Sequence, residues 1–149
     1  MNKFPICPIF IPANKLNYVE KAIKYGADGI ILDLEDSILL NDKTKTRENL
    51  FKYLSSNSPD AITYIRVNDL NSEIGISDIE MLSELNFAFI VPKFENEENF
   101  TKISEDLKII PLIETPLAIN NLNKIAKNKN VIGLSFGAAD FSSMIGSEM

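Results

Sequence analysis

The sequence predicts an α/β protein built on a parallel β-sheet that is covered by helices. Short apolar runs rich in β-branched residues alternate with segments of helical periodicity along all 149 residues. The runs are apolar at successive positions, as strands buried on both faces are. No linker, low-complexity tract or charge block divides the chain, so a single domain covering residues 1–149 is expected. The six runs are residues 6–11, 29–34, 62–67, 88–91, 109–113 and 131–136.

Between the runs lie helical segments with apolar residues three and four positions apart. Gly26 is a common type of helix stop, and Asn96 is a candidate N-cap. The apolar stripes are Leu16, Val19 and Ile23, then Phe100, Ile103 and Leu107, then Leu122, Ile125 and Ala126, with weaker stripes in residues 41–54 and 77–85. This alternation fits a doubly wound sheet and a (β/α) barrel. The first strand–helix turn, residues 12–15, lacks the glycines of a dinucleotide-binding fingerprint, so a Rossmann domain is not expected.

Composition argues against several classes of function. The net charge of −6 and the pI near 4.7 disfavour nucleic acid or an anionic membrane as partner, and no apolar stretch approaches the length of a membrane span. The chain has no histidine, which removes histidine triads, histidine zinc ligands and histidine general bases. Cys7 is the only cysteine and lies in an apolar run, so we expect a buried, unreactive thiol, no internal disulfide and a cytoplasmic location.

Charged residues gather directly after the apolar runs. Because the carboxyl ends of parallel strands share one rim, side chains placed there are candidates for an active site. Glu114 should be partly buried, and a buried carboxylate needs a partner or a metal. Together with Asp140 it offers only oxygen ligands, which favours Mg²⁺, with Mn²⁺ as the second choice. The charged residues at or shortly after the ends of five successive runs are Glu35 and Asp36, Arg66, Lys93, Glu114, and Asp140.

The same residues lie in motifs that resemble those of a known family. Each motif alone is weak, but five in order at compatible spacing are specific. In chain order they are LDLEDS at 32–37, IRVN at 65–68, VPK at 91–93, LIET at 112–115 and FGAAD at 136–140. Together they resemble the citrate lyase beta-subunit proteins of the HpcH/HpaI aldolase/citrate lyase family, from residue 10 to residue 140.

The resemblance implies a TIM-type barrel and a metal-dependent carbon–carbon lyase. Such an enzyme cleaves or forms a hydroxyacyl-thioester, for example citryl- or malyl-CoA, and yields a 2-oxo acid and an acyl-thioester. The resemblance makes Glu114 and Asp140 the direct metal ligands, with Glu114 also beside the substrate. Arg66 would bind a substrate carboxylate or enolate oxygen. Glu35 and Asp36 would stand near the metal through water, and either is a candidate base if its pKa is raised.

Two features depart from this family pattern. A TIM barrel has eight strands and about 250 residues, whereas six strand–helix units are predicted here. We therefore expect an incomplete barrel: a fragment, a barrel completed by a partner chain or by further copies, or an open remnant without catalysis. The outer runs would then form exposed edges that favour association. The absence of histidine separates the chain from the histidine-dependent pyruvate aldolases of the same superfamily.

Three rival functions remain open at this point. A pyruvate-type aldolase is one, and a non-catalytic binding or assembly subunit is another. Lys93 at a strand end also permits a Schiff-base aldolase, although an ion pair between Lys93 and Glu95 or Glu114 is the simpler expectation.

Overall fold

The computed structural model describes residues 4–147 and contains a six-stranded parallel sheet. Each strand pairs with its neighbours in sequence, in the order β1-β2-β3-β4-β5-β6. A doubly wound sheet reverses its strand order, whereas strands that follow the sequence order form the wall of a barrel. The sheet is accordingly a curled half-barrel. Its strands are β1 (Ile9–Pro12), β2 (Gly29–Asp33), β3 (Ile62–Arg66), β4 (Ala88–Val91), β5 (Ile109–Ile113) and β6 (Ser135–Phe136).

Helices connect the strands, and side-chain caps explain where two of them begin. The Ser72 hydroxyl accepts a hydrogen bond from the Gly75 N–H, and the Thr115 hydroxyl accepts one from the Ala118 N–H. Within residues 4–147, no helix is both long enough and apolar enough to cross a membrane. The α-helices are α1 (Val19–Lys24), α2 (Lys43–Ser56), α3 (Glu73–Leu82), α4 (Pro116–Ile125) and α5 (Ala138–Ile145), and the 3₁₀ helices are Leu16–Tyr18, Leu40–Asp42 and Glu97–Lys102.

The two faces of the sheet carry apolar clusters of different size. Alternate strand residues point to opposite faces, so Leu32 and Ile65 join the large cluster, which includes residues of the helices. Ile31 and Tyr64 join a smaller cluster, and within residues 4–147 that cluster contains no helical residue. Helices therefore pack against one face only, which is the arrangement of a barrel wall and not of a doubly wound sheet.

Three elements differ from the sequence prediction. Strand β1 begins at Ile9 instead of residue 6, and the run 131–136 forms a strand only at its end, with Val131 making an isolated bridge to Ile109. The segment after Asn96 is a 3₁₀ helix instead of an α-helix. Asn96 is its N-cap, as predicted: Asn96 Oδ1 accepts a hydrogen bond from the Glu98 N–H, and the Asn99 side chain accepts one from the Asn96 N–H in a capping box.

The expectation that Cys7 is buried is wrong, because its side chain is exposed. The reason lies in the backbone that precedes β1. The N–H groups of Ile6 and Cys7 donate to the carboxylate of Asp28, at 2.6 and 3.3 Å, and not to a neighbouring strand. The apolar run therefore enters the sheet later than its composition suggested.

Candidate active site

The carboxyl ends of the strands bring the predicted charged residues onto one rim. Asp33 and Arg66 are the last residues of β2 and β3 and are partners in register. Glu114 directly follows β5, and Asp140 lies in the first turn of α5. Burial raises the pKa of Glu114, and the positive charge of Arg66 reduces that rise. The two side chains are therefore electrostatically coupled. The rim thus carries two neighbouring groups, one around Arg66 and one around Glu114.

Three carboxylates surround the guanidinium of Arg66. Its Nε donates to Asp33 Oδ1 at 2.6 Å, and its Nη2 donates to Asp33 Oδ2 at 2.9 Å. Its Nη1 lies 3.1 Å from Glu35 Oε2 and 3.3 Å from Asp36 Oδ2. The ring of Phe10 lies 5.0 Å from Cζ, within cation–π range. The two bonds to Asp33 fix the orientation of the guanidinium, because planar bidentate pairs are geometrically specific.

Asp33 was not selected from the sequence, although it organises this group. Its side chain is 3% exposed, and burial disfavours its ionised form. Hydrogen bonds from Arg66, from Ser37 and from the Glu35 N–H outweigh burial, so the pKa of Asp33 is lowered. The available signal was a carboxylate inside an apolar strand, since a buried charge requires a partner. The register that supplies Arg66 as this partner is visible only in the structure.

Glu35 titrates near neutral pH. Burial raises its pKa to about 7, against the attraction of Arg66 and with help from the neighbouring negative charges. Its side chain is 14% exposed, whereas that of Asp36 is 75% exposed. Of the two candidate bases, Glu35 is therefore the buried one, and a buried carboxyl with a raised pKa is a common feature of functional sites.

Lys43, which sequence reasoning also missed, anchors the backbone that carries Glu35. Its ammonium donates to the carbonyls of Leu34 and Glu35 at 2.8 and 2.6 Å and to the Asn68 Oδ1 at 2.6 Å. An ammonium has three donors, and all three are used here. Desolvation lowers the pKa of Lys43, as expected for a cation that is partly enclosed. Lys43 thus ties the loop after β2 to the loop after β3.

Asp78 orients Asn68 from the opposite side. One oxygen of Asp78 accepts from the Asn68 N–H at 3.0 Å and from Nδ2 at 2.6 Å, and the other accepts from Arg47 at 2.9 Å. Among the described residues, Nε of Arg47 is a buried atom without a hydrogen-bond partner. The buried chain from Arg47 to Asn68 keeps the loop geometry of the rim in place.

Glu114 is buried more fully than the partial burial that the sequence predicted, with 3% of its residue surface exposed. Its Oε1 accepts a hydrogen bond from the Lys93 main-chain N–H at 2.7 Å. Burial raises the pKa of the Glu114 carboxyl, with the negative charge of Asp140 adding to the effect. The expected ion pair between the Lys93 ammonium and Glu95 or Glu114 is not formed, because within residues 4–147 no carboxylate lies within 4.0 Å of Nζ. The lysine contacts Glu114 through its backbone instead.

Glu114 and Asp140 line one cavity of about 320 Å³, together with Lys93, Glu95 and Thr115. Among residues 4–147 no group of three histidine, cysteine, aspartate or glutamate side chains is arranged to hold a metal. Two carboxylates still fit Mg²⁺, which is commonly held by one or two carboxylates while water and substrate complete its octahedron. The donor set is all oxygen, and the mutual repulsion of the two carboxylates is relieved by a cation.

The fold and the site together define a class of protein. Charged groups at the carboxyl ends of parallel strands in a helix-covered barrel wall are the arrangement of (β/α)-barrel enzymes. The chain belongs to the HpcH/HpaI aldolase/citrate lyase family, whose model matches residues 7–149. This result confirms the family expected from the five motifs.

Two relatives and one solved structure resemble the chain over most of its length. The chain is 28% identical over 144 residues to a (3S)-malyl-CoA thioesterase of Cereibacter sphaeroides, covering 93% of this chain and 50% of the relative. It is 29% identical over 150 residues to the citrate lyase subunit beta of Haemophilus influenzae, covering 89% and 52%. The citrate lyase beta subunit complexed with oxaloacetate and magnesium from M. tuberculosis matches with a TM-score of 0.82 at 25% identity, covering 95% of this chain and 62% of that one.

These coverages also bear on the extent of the fold. The chain spans about half the length of the curated relatives that it matches. The structural match confirms the expected incomplete TIM-type barrel, with six strands of the barrel wall present.

Proposed function

We propose that this chain carries the metal-binding half of a magnesium-dependent carbon–carbon lyase that acts on hydroxyacyl-CoA thioesters. The observation that carries the proposal is the rim itself, where an oriented arginine, a glutamate with a pKa of about 7 and a carboxylate-lined cavity lie side by side. Relatives named for malyl-CoA and citrate, and a neighbour complexed with oxaloacetate and magnesium, support this substrate class.

Glu114 and Asp140 are the residues that would hold Mg²⁺, with Mn²⁺ as the second choice. The metal, when bound, supplies Lewis acidity toward the carbonyl and carboxylate oxygens of a 2-oxo acid. Both ligands come from the ends of adjacent strand–helix units, so the rigid sheet fixes their spacing. Glu114 would lie beside the substrate as well, since it lines the cavity.

Arg66 would bind the carboxylate of the substrate or the oxygen on which negative charge develops. Asp33 occupies Nε and one proton of Nη2, which leaves the Nη1 side of the fork for the substrate. There the contacts to Glu35 and Asp36 are longer, at 3.1 and 3.3 Å, and are exchanged more easily. A planar fork of this kind is suited to a carboxylate.

Glu35 would act as the general base in the cleavage direction. It removes the proton of the substrate hydroxyl, the carbon–carbon bond breaks, and the hydroxyl-bearing carbon becomes the carbonyl of a 2-oxo acid. The bonding electron pair passes to the α-carbon of the acyl-thioester, and that carbon then takes up a proton. A carboxyl with a pKa of about 7 is half ionised at neutral pH and is therefore matched to this proton transfer.

A thioester assay tests the proposal directly. The chain is incubated with citryl-CoA or (3S)-malyl-CoA and Mg²⁺, and the 2-oxo acid product is measured. Formation of 2-oxo acid that is lost in Glu35→Gln and in Arg66→Lys supports the lyase. Arg66→Lys keeps the positive charge but loses the planar guanidinium and its paired hydrogen-bond donors. Full activity in that variant would therefore contradict the role of Arg66.

The same assay separates the rival functions. Mg²⁺ binding without cleavage of either thioester would favour a non-catalytic binding or assembly subunit. Cleavage of hydroxy-oxo acids without a thioester group would favour a pyruvate-type aldolase. The same proposal includes an assembly, in which the partner is a second copy of this chain or another chain.

A further inference from the structure

A main-chain N–H in an unusual conformation holds the carboxylate of Glu114. Lys93 has φ +50°, and among residues 4–147 it is the one non-glycine residue with positive φ. Side chains of L-residues are disfavoured in this left-handed region, and such backbones persist where the surroundings require them. The N–H of Lys93 donates to Glu114 Oε1 at 2.7 Å. The disfavoured conformation thus coincides with a hydrogen bond to a buried carboxylate.

Gly137 borders the same carboxylate. A Cβ placed on Gly137 would lie 2.7 Å from Glu114 Cβ and 2.8 Å from its Oε2, so one group would have to move. The φ of Gly137 is −89°, which any residue adopts, so glycine is needed here for space and not for conformation. The Gly137 N–H donates to the Ile113 carbonyl at 3.0 Å, which ties the start of α5 to the end of β5.

We propose that the Lys93 main chain and Gly137 are positioning residues that prepare Glu114 to bind a divalent cation. The Lys93 N–H donates a hydrogen bond to Oε1 of Glu114, and Gly137, which has no Cβ, leaves room for Oε2. Within residues 4–147, Oε2 accepts no hydrogen bond and is available to a cation. The inference rests on the proposed Mg²⁺ site at Glu114 and Asp140.

The physical basis is preorganisation of a ligand. A carboxylate held by one oxygen loses less rotational freedom when its other oxygen binds a metal. Groups that orient a ligand from outside the coordination shell change metal affinity by about 10- to 100-fold when removed. The Lys93 side chain is exposed and makes no ion pair within the described residues. Its positive charge still acts on the Glu114 carboxyl through space and opposes the rise in pKa that burial causes.

Substitutions at Lys93 separate the effect of its backbone conformation on Mg²⁺ affinity from the effect of its side-chain charge. Lys93→Gly removes the charge and relaxes the positive φ, Lys93→Val removes the charge and disfavours it, and Lys93→Arg keeps the charge. Isothermal titration calorimetry with MgCl₂ measures the affinity of each 149-residue chain. We expect Lys93→Gly to bind at least as tightly as the parent and Lys93→Val to bind about tenfold more weakly or worse.

The amide resonance of residue 93 gives a second readout in the parent and in Lys93→Gly. It should shift on addition of Mg²⁺, because its acceptor is a ligand of the cation. Weaker Mg²⁺ binding by Lys93→Gly than by both the parent and Lys93→Arg would overturn the inference, because a relaxed backbone and the loss of a positive charge near a cation site should each leave binding at least as tight. This comparison remains decisive if Lys93→Val does not fold.

Gly137→Ala tests the second residue. The added methyl group displaces Glu114, so Mg²⁺ affinity should fall by about tenfold or more. Gly26→Ala is the matched control, because Gly26 has φ +92° and nothing within 4 Å of its Cβ position. That control loses folding stability without touching the site, and its Mg²⁺ affinity should equal that of the parent.

Failure of the inference and failure of the proposed function give different results. If the parent binds no Mg²⁺ by calorimetry, the proposed metal site is overturned and the positioning role with it. If the parent binds Mg²⁺ and both Gly137→Ala and Lys93→Val bind equally well, only the positioning role is overturned.

Discussion

Arg66 and Asp33 form a bidentate ion pair between register partners at the ends of β3 and β2, with contacts of 2.6 and 2.9 Å. Each charge alone would be costly at this buried position. Paired, they give a guanidinium of fixed direction on a rigid sheet. The same pair places the remaining nitrogen, Nη1, toward Glu35 and Asp36.

Removal of the Asp33 charge should destabilise the chain strongly. In Asp33→Asn the Arg66 guanidinium loses its bidentate ionic partner and keeps only the longer contacts to Glu35 and Asp36. Loss of the partner of a largely buried charge costs about 3 kcal/mol of the free energy of unfolding. Asp36→Asn is the matched control, because Asp36 also contacts Arg66 but is 75% exposed. The control should cost less than about 1 kcal/mol. Urea denaturation measures both values, and equal losses would contradict the assignment of Asp33 as the principal partner.

Titration of Glu35 should make stability depend on pH. Its pKa is about 7 in the folded chain, above the ordinary value of 4.5. The folded chain therefore binds more protons than the unfolded chain between these values, and its free energy of unfolding falls as pH rises from 4.5 to 7. One proton gives a slope of at most about 1.4 kcal/mol per pH unit.

Glu35→Gln isolates this contribution. The variant should lose part of the slope measured by urea denaturation without metal, while the raised pKa of Glu114 maintains the remainder. The lowered pKa of Asp33 acts in the opposite direction and only in acid, since that stability is lost as pH falls below its ordinary range. Identical slopes in parent and variant would show that Glu35 does not titrate near neutral pH.

Divalent cations should stabilise the folded chain. A ligand that binds only the folded state raises its stability by mass action. Mg²⁺ or Mn²⁺ should therefore raise the melting temperature of the parent, and Glu114→Gln and Asp140→Asn should each abolish that rise. Glu95→Gln is a control from the same cavity and should respond like the parent. A rise that survives both ligand substitutions would place the cation elsewhere.

The sequence was informative where chemistry is local. Alternating apolar runs predicted the strands, and the position of Glu114 directly after an apolar strand predicted a buried carboxylate, which is 3% exposed. The strand–helix rhythm alone did not separate a barrel from a doubly wound sheet. The two folds differ in whether helices cover one face of the sheet or both. The resemblance of the motifs predicted the barrel before the structure showed helices on one face only.

The parts that sequence reasoning missed depend on contacts between distant segments. Asp33 meets Arg66 across 33 positions, and Lys43 meets Asn68 across 25. Neither contact leaves a periodic pattern in the sequence from which it could be predicted. Cys7 was misplaced for a related reason, since its N–H and that of Ile6 bond to the Asp28 side chain instead of a strand.

Lys93 should not form a Schiff base. Reactive lysines of that type are desolvated or lie next to another cation, whereas Lys93 is exposed. Treatment with a keto acid and borohydride, in the presence of a chelator, should leave the mass of the peptide containing Lys93 unchanged. Lys24, another exposed lysine, serves as the internal reference for nonspecific modification. A mass increase at Lys93 alone would move the mechanism to a Schiff-base aldolase.

The two edges of the half-barrel should make the 149-residue chain associate. Edge strands present unpaired backbone groups that template pairing with another chain. The β1 edge exposes Ile9 and Phe10, at 43% and 53%, and Phe136 of β6 is 57% exposed. Met144 and Ile145 of α5, the helix that follows β6, are also exposed, at 61% and 53%. Apolar patches of this kind are uncommon on stable monomers.

Sedimentation velocity across a micromolar dilution series measures this association. Ile9→Lys and Phe136→Lys place a charge at each edge and should shift the distribution toward monomer, since edge lysines block strand pairing. Leu39→Lys is the matched control, because Leu39 is 75% exposed but lies outside both edge strands. It should sediment like the parent. A compact parent monomer that unfolds cooperatively would contradict the prediction and show that six strands with open edges are self-sufficient.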